Sequence, residues 1–238
     1  MIFLRSLLFN LFYFGSTAVL MAPGLLMRLL CPARLAGFAR FWARLELGAA
    51  RVICGIRLQV LDAERLPSGA ALIASRHESA FDTMVWLILV PRAAYVLKTE
   101  LLRLPVFGGL LRPAGMIPVD RYGGSGAVRG LMRAGAHAAA AGRQIVIFPE
   151  GTRAEPGTIL PLHPGVAALA TATGLDVLPV VTDSGDCWGR RSFRKRPGTV
   201  RIALLAPIPA GLGRERLMRR LAADLAAGMD TLRPRGGG

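Results

Sequence analysis

The chain has 238 residues, 53% of them apolar, and carries 30 Lys plus Arg against 15 Asp plus Glu, for a net charge of +15. That apolar fraction excludes an intrinsically disordered chain, and three widely spaced cysteines (Cys31, Cys54, Cys187) exclude a disulfide scaffold or a CxxC-type zinc site. A mean hydropathy of +0.44 beside so strong a positive charge suits two surroundings at once, and a membrane surface offers both.

Arginine makes up 28 of the 30 basic residues, a preference that GC-rich codon usage explains as readily as function does. The shortage of acids is a separate matter, and it suits anionic phospholipid, an acidic carrier protein or nucleic acid as partner. From Ser6 to Met27 run 22 residues without a charge, bracketed by Arg5 and Arg28, long enough to enter a bilayer. A cleaved signal peptide is the rival, but no small-residue cleavage site closes the run, and Pro23-Gly24 predicts a helix break near its end. Leu35 to Arg51 then separates on a helical wheel. Leu35, Phe38, Phe41, Trp42 and Leu45 form one side, and Arg40, Arg44 and Arg51 fall within about 40° of each other opposite, the pattern of an interfacial helix with arginines toward lipid phosphates; a surface helix packed on its own domain is the alternative.

After Gly55 the pattern changes to short β-rich runs alternating with helical stretches, which predicts an α/β fold: a mostly seven-stranded sheet flanked by helices, preceded by the two-helix membrane-associated motif. Expected strands are 57–61, 71–75, 94–98, 116–119, 144–148, 177–181 and 200–205; expected helices are 82–89, 101–111, 127–141, 165–173 and 214–232. The organisation is then a membrane segment at 1–51, one α/β body at 52–233 and a Gly-rich flexible tail at 234–238.

Ser75-Arg76-His77-Glu78-Ser79-Ala80-Phe81-Asp82 follows one of the apolar strands. On a regular helix His77 and Asp82 would stand about 140° apart. With His77 in the strand-to-helix loop and Asp82 opening the helix, the carboxylate can fold back on the imidazole, fix its tautomer and stabilise the imidazolium. The plain alternative is a loop histidine beside a helix-capping aspartate. Phe148-Pro149-Glu150-Gly151-Thr152-Arg153 follows another strand and presents a carboxylate, a hydroxyl and a guanidinium where α/β sheets hold ligands. Lys98 and the run Gly115 to Arg121 end two more strands.

These blocks, in this order, resemble the glycerolipid acyltransferase family, specifically the 1-acyl-sn-glycerol-3-phosphate (lysophosphatidic acid) acyltransferases. His77 and Asp82 match its HxxxxD block, Gly115 to Arg121 its second, Phe148 to Arg153 its FPEGTR block and Leu178-Pro179-Val180 its fourth. Arg76, where many members have Asn, and Pro118, where a larger apolar residue is common, depart from the pattern. The resemblance implies transfer of a fatty acyl group from acyl-CoA or acyl carrier protein to the sn-2 hydroxyl of lysophosphatidic acid, giving phosphatidic acid, with no covalent intermediate, cofactor or metal. His77 would be the base and Asp82 its support. Lys98, Arg121 and Arg153 would bind the acceptor phosphate, and Glu150, Gly151 and Thr152 would complete the pocket. The partners implied are membrane phospholipid and the two substrates, without nucleic acid, at the cytoplasmic face of the inner membrane. Another lysolipid acceptor, such as lyso-ornithine lipid, keeps the chemistry; a non-catalytic membrane-tethered lipid- or nucleic-acid-binding module abandons it.

Three further features compete. Gly123-Gly124-Ser125-Gly126-Ala127 lacks the last glycine of a nucleophile elbow and reads as a loop entering a helix. Trp188 to Lys195, with Arg190, Arg191, Arg194, Lys195 and Arg196 around Phe193, is either a solvated basic hairpin or a surface for anionic lipid, carrier protein or nucleic acid. His137 and His163 have no carboxylate at useful spacing and read as structural.

Overall fold

A computed structural model of the chain describes residues 1–104, 107–120 and 123–233. Seven strands form one sheet: β1 Ile56–Leu61, β2 Ala71–Ser75, β3 Ala93–Lys98, β4 Ile117–Val119, β5 Gln144–Ile147, β6 Val177–Thr182 and β7 Gly198–Leu204, in the order β1-β7-β6-β2-β5-β3-β4. Neighbours run parallel except β6 against β7. Each expected strand is present within two residues of its expected ends. Side chains alternate between two cores, as period-2 geometry requires. Ile73, Val146, Leu178 and Val180 enter one core, and Leu72, Ala74, Ile145, Ile147, Val177 and Val181 the other.

Two long helices come first, α1 Ile2–Leu30 and α2 Leu35–Ala49; α2 continues into a π-helical turn, Ala50–Cys54, that stops at Gly55 in the left-handed conformation (φ 73°). The remaining helices are α3 Ala80–Leu89, α4 Phe107–Leu111, α5 Gly124–Ala140, α6 Gly165–Thr173, α7 Ser184–Cys187 and α8 Arg214–Leu232. Helix α3 packs on the first core with α1 and α2 beyond it, while α5, α6 and α8 cover the other face. The helix expected over 101–111 is instead a 3₁₀ turn, Thr99–Arg103, and the separate α4. Leu104 is extended (φ −65°, ψ 128°), the conformation imposed on a residue preceding proline, here Pro105.

Helix α1 has the length and composition to cross a membrane, yet one stripe of it is docked on the protein. Ser16 Oγ donates to Glu46 Oε1 at 2.5 Å, Trp42 Nε1 donates to Thr17 Oγ1 at 3.1 Å, and the Phe9 ring meets Trp188 edge-on at 5.1 Å. The opposite face leaves Phe3, Leu4, Leu8, Leu11, Phe14, Val19 and Leu26 exposed. The expected break at Pro23-Gly24 does not occur; α1 runs on to Leu30. Proline costs the helix one hydrogen bond there, but Gly24 lets α2 come close enough that a Cβ would stand 3.1 Å from the Phe38 ring, and this packing holds the last turns in place.

The wheel assignment of α2 also changes. Its buried positions are Leu35, Ala43 and Glu46, Phe41 is exposed, and Arg40 turns inward to donate to the carbonyls of Val90 and Pro91 at the end of α3, where a cation meets the negative end of the helix dipole. Burial pushes the Glu46 carboxyl above the usual range, and the Ser16 hydroxyl only partly offsets it. In the basic stretch, Trp188 and Lys195 are buried rather than solvated.

Candidate active site

Strands β2 and β5 are adjacent and parallel, so the segments leaving their carboxyl ends, Arg76–Ser79 and Phe148–Arg153, emerge side by side. Asp82 is the third residue of α3 and closes a capping box with Ser79: its Oδ2 accepts from the backbone N–H groups of Glu78 and Ser79, both at 2.8 Å, and Ser79 Oγ accepts from Phe81 N at 3.1 Å. The same Oδ2 lies 3.1 Å from His77 Nδ1. The cap contacts and the histidine contact of Asp82 are therefore made by one and the same atom. A carboxylate at Nδ1 fixes the proton on that nitrogen and leaves the Nε2 lone pair free to accept another. The imidazole stacks on Phe148 at 4.1 Å and 19°, which sets its plane.

The second segment also grips the backbone of the first. His77 N–H donates to Glu150 Oε2 at 3.1 Å, and Ala154 N–H donates to the His77 carbonyl at 2.7 Å. The turn between them needs Gly151, at φ 68°. The other oxygen of Glu150 pairs with Arg76 Nη2 at 3.0 Å. Glu150 faces this buried guanidinium and does not line the cavity that holds His77; of the two roles open to it, orienting a glycerol hydroxyl or a neighbouring basic group, it is placed for the second. Behind it runs a chain of charges that sequence reasoning missed. Glu78, fully buried, receives both Nη groups of Arg233 at 3.0 and 2.8 Å and the N–H of Gly185 at 3.1 Å, and Arg233 also reaches Asp186 at 2.9 Å. Arg233 follows α8, 155 residues away, so no local spacing could reveal it.

His77 lines a cavity of about 1010 Å³. Lys98, Asp120 and five residues of the Phe148–Arg153 turn, Gly151, Thr152 and Arg153 among them, line it too; Arg121 lies outside the described residues. Apolar side chains from five helices also line the cavity: Leu20 and Met21 of α1, Leu35, Phe38 and Trp42 of α2, Leu87 of α3, Leu110 and Leu111 of α4, and Ala127, Val128 and Leu131 of α5. His163, read as structural, also faces the cavity, while its backbone N–H donates to the Pro149 carbonyl. His137 lies exposed on α5. No group of three or more His, Cys, Asp or Glu suited to a metal occurs among the described residues.

Burial among Arg76, Glu78 and Asp82 pushes the Glu150 carboxyl up to about 7, Arg76 pulling against burial and the two neighbouring carboxylates adding to it. The folded protein thus holds a proton at Glu150 between about pH 4.3 and 7 where an unfolded chain has released it. Its contribution to stability is full below that window and is lost as pH rises through it. Denaturant titrations across this range should show the decline flattened in Glu150→Gln; an unchanged slope would refute the assignment.

The lining thus combines an imidazole held at its Nδ1, cationic side chains and a large apolar surface. Such a cavity can seat an amphiphile with its hydroxyl at the histidine. Comparison with known proteins agrees with this chemistry. The chain is 32% identical over 207 residues to 1-acyl-sn-glycerol-3-phosphate acyltransferase of Pseudomonas aeruginosa, covering 84% of this chain and 79% of that one. It is 29% identical over 140 residues to the enzyme of the same name from Cocos nucifera, covering 58% of this chain and 46% of that longer protein. Its fold matches the crystal structure of the 1-acyl-sn-glycerophosphate (LPA) acyltransferase of Thermotoga maritima at a TM-score of 0.74 over the full length of both chains, with 21% identity. Residues 57–183, the stretch that carries both the His77–Asp82 pair and the Phe148–Arg153 turn, match the acyltransferase family, and the chain belongs to it.

Proposed function

We propose that this acyltransferase moves a fatty acyl group from a thioester, acyl-CoA or acyl carrier protein, to the sn-2 hydroxyl of 1-acyl-sn-glycerol-3-phosphate, yielding phosphatidic acid. The observation that carries this reading is the His77–Asp82 contact at the wall of a cavity that Lys98 and Arg153 also line. His77 Nε2 takes the proton as the acceptor oxygen attacks the thioester carbonyl carbon. The carbon–sulfur bond of the tetrahedral adduct then breaks, and the imidazolium returns its proton to the departing thiolate. Asp82 stabilises that imidazolium. Glu150, through Arg76 and the His77 N–H, positions the loop rather than touching substrate.

The acceptor's glycerol end belongs beside Lys98, Thr152 and Arg153, with Arg121 the further cation expected from the sequence. A phosphomonoester carries up to two negative charges, so it gains from more than one cation, and arginine adds bidentate geometry. Helix α1 lines the cavity through Leu20 and Met21 and also carries an exposed apolar face. This supports residues 1–51 as the membrane-contacting segment and 52–233 as the catalytic body, bound at the cytoplasmic face where thioester donors occur.

The reading is tested by acceptor competition. Arg153→Ala should lower kcat/KM for lysophosphatidic acid by roughly 1.5–3 kcal/mol, the range for hydrogen bonds to a charged group, and Arg153→Lys should restore only part of it. Equal use of an acyl-matched lysolipid without the phosphomonoester, such as lyso-ornithine lipid, would transfer the assignment to that acceptor class and leave the His77 chemistry intact.

A further inference from the structure

The basic stretch after Trp188 is built onto the first turns of α1, and the pieces divide by chemistry. Lys195 faces inward: its Nζ donates to Asn10 Oδ1 at 2.8 Å and to the Ser192 carbonyl at 2.9 Å and lies 5.0 Å from the centre of the Trp188 ring, while its backbone N–H donates to Ser6 Oγ at 2.9 Å. Asn10 Nδ2 donates back to the Phe193 carbonyl at 3.1 Å. The stretch is closed at its base by the Arg196 N–H on the Cys187 carbonyl and at its tip by the Ser192 N–H on the Gly189 carbonyl. It is therefore a fixed ledge.

The arginines point the other way. Arg191, Arg194 and Arg196 are exposed, as is Arg5 on α1, and among the described residues none of the four forms an ion pair. Arg191 holds a left-handed backbone (φ 53°) that glycine adopts at less cost. Between the arginines the Phe193 ring packs on Phe3 at 5.2 Å, both remain exposed, and the exposed apolar face of α1 continues from them through Leu4, Leu8 and Leu11.

We propose that Arg5, Arg191, Arg194 and Arg196 form a site for the phosphodiester headgroups of anionic phospholipids, with Phe3 and Phe193 entering among the adjoining acyl chains. Exposed arginines that form no ion pair among the described residues, beside exposed aromatic rings, match an anionic bilayer, which supplies phosphates and hydrocarbon within a few ångströms of depth. An acidic carrier protein would satisfy the charges and leave the phenylalanines and the leucines of α1 in water. The proposal rests on the membrane-bound reading above and adds to it a choice of lipid.

The test is cosedimentation of the full chain with vesicles of phosphatidylcholine alone and of phosphatidylcholine mixed with phosphatidylglycerol, at low and high salt, for the wild type and for Arg191→Gly/Arg194→Gln/Arg196→Gln. The wild type should prefer the anionic vesicles, and salt should weaken that preference. Three charges removed from an anionic surface should lower partitioning into those vesicles on the order of 100-fold. Binding to phosphatidylcholine and turnover of detergent-dispersed acceptor should not change. Wild-type binding to neither vesicle would overturn the membrane reading itself. Equal binding to both, or an unaffected variant, would overturn the headgroup site alone. Normal vesicle binding by the variant with a raised KM for an acyl carrier protein thioester, acyl-CoA being unaffected, would also overturn it and give the surface to the carrier protein.

Discussion

His77→Ala is expected to abolish acyl transfer while the protein still folds and binds membrane. The side chain is held by Asp82 and stacked on Phe148 but contributes little to either hydrophobic core, so its removal leaves the sheet and α3 in place. Asp82→Asn gives the sharper result. The amide oxygen can still accept from Glu78 and Ser79, so much of the cap survives, whereas a neutral group cannot balance an imidazolium. Turnover should fall by about 10²–10⁴-fold, the range for general acid–base catalysis, with a loss of stability nearer that of a weakened cap, about 1 kcal/mol. Single-turnover kinetics beside denaturant titration separates the two effects. Near-normal turnover in either variant would remove the pair from the mechanism.

Strands and motifs were legible in the sequence because both obey short-range rules. Short, mostly apolar runs such as Ala71–Ser75 and Val177–Thr182, buried on both faces, stand out from their flanks, and the fold needs only that β2 lie beside β5 for His77 and the Glu150 turn to meet. What failed did so where a distant partner decides the outcome. Arg40 looked like a lipid-facing cation on a wheel, but the wheel knows nothing of the carbonyls at the end of α3. Lys195 read as one of five outward-facing basic residues, whether solvated or binding an anionic partner, yet α1 supplies Asn10 and Ser6 from some 185 residues away and draws it in. The polar residues of α1, which only diluted an apolar run, turned out to be its docking stripe. A local error was the helix through Pro105, where the proline itself was the missed signal.

Arg233→Met should destabilise the protein by roughly 3–5 kcal/mol, the cost of leaving one member of a buried ion pair without its partner. Glu78 has no exposure, and its carboxylate depends on the Arg233 fork, the Gly185 N–H and, at 3.9 Å, the Arg76 guanidinium. Burial already pushes its pKa up, with Arg233 the largest opposing influence, so the variant's carboxyl will take up a proton rather than stay charged. The loss should therefore be smaller at low pH and grow as pH rises, and Glu78→Gln added to Arg233→Met should recover much of it by removing the stranded charge. Turnover is expected to fall with stability, since Glu78 lies between His77 and the Ser79 cap, and a shift of that backbone moves the imidazole relative to Asp82. A pH-independent loss, or a double variant no more stable than the single, would show that Arg233 acts through packing of α8 and not through the charge on Glu78.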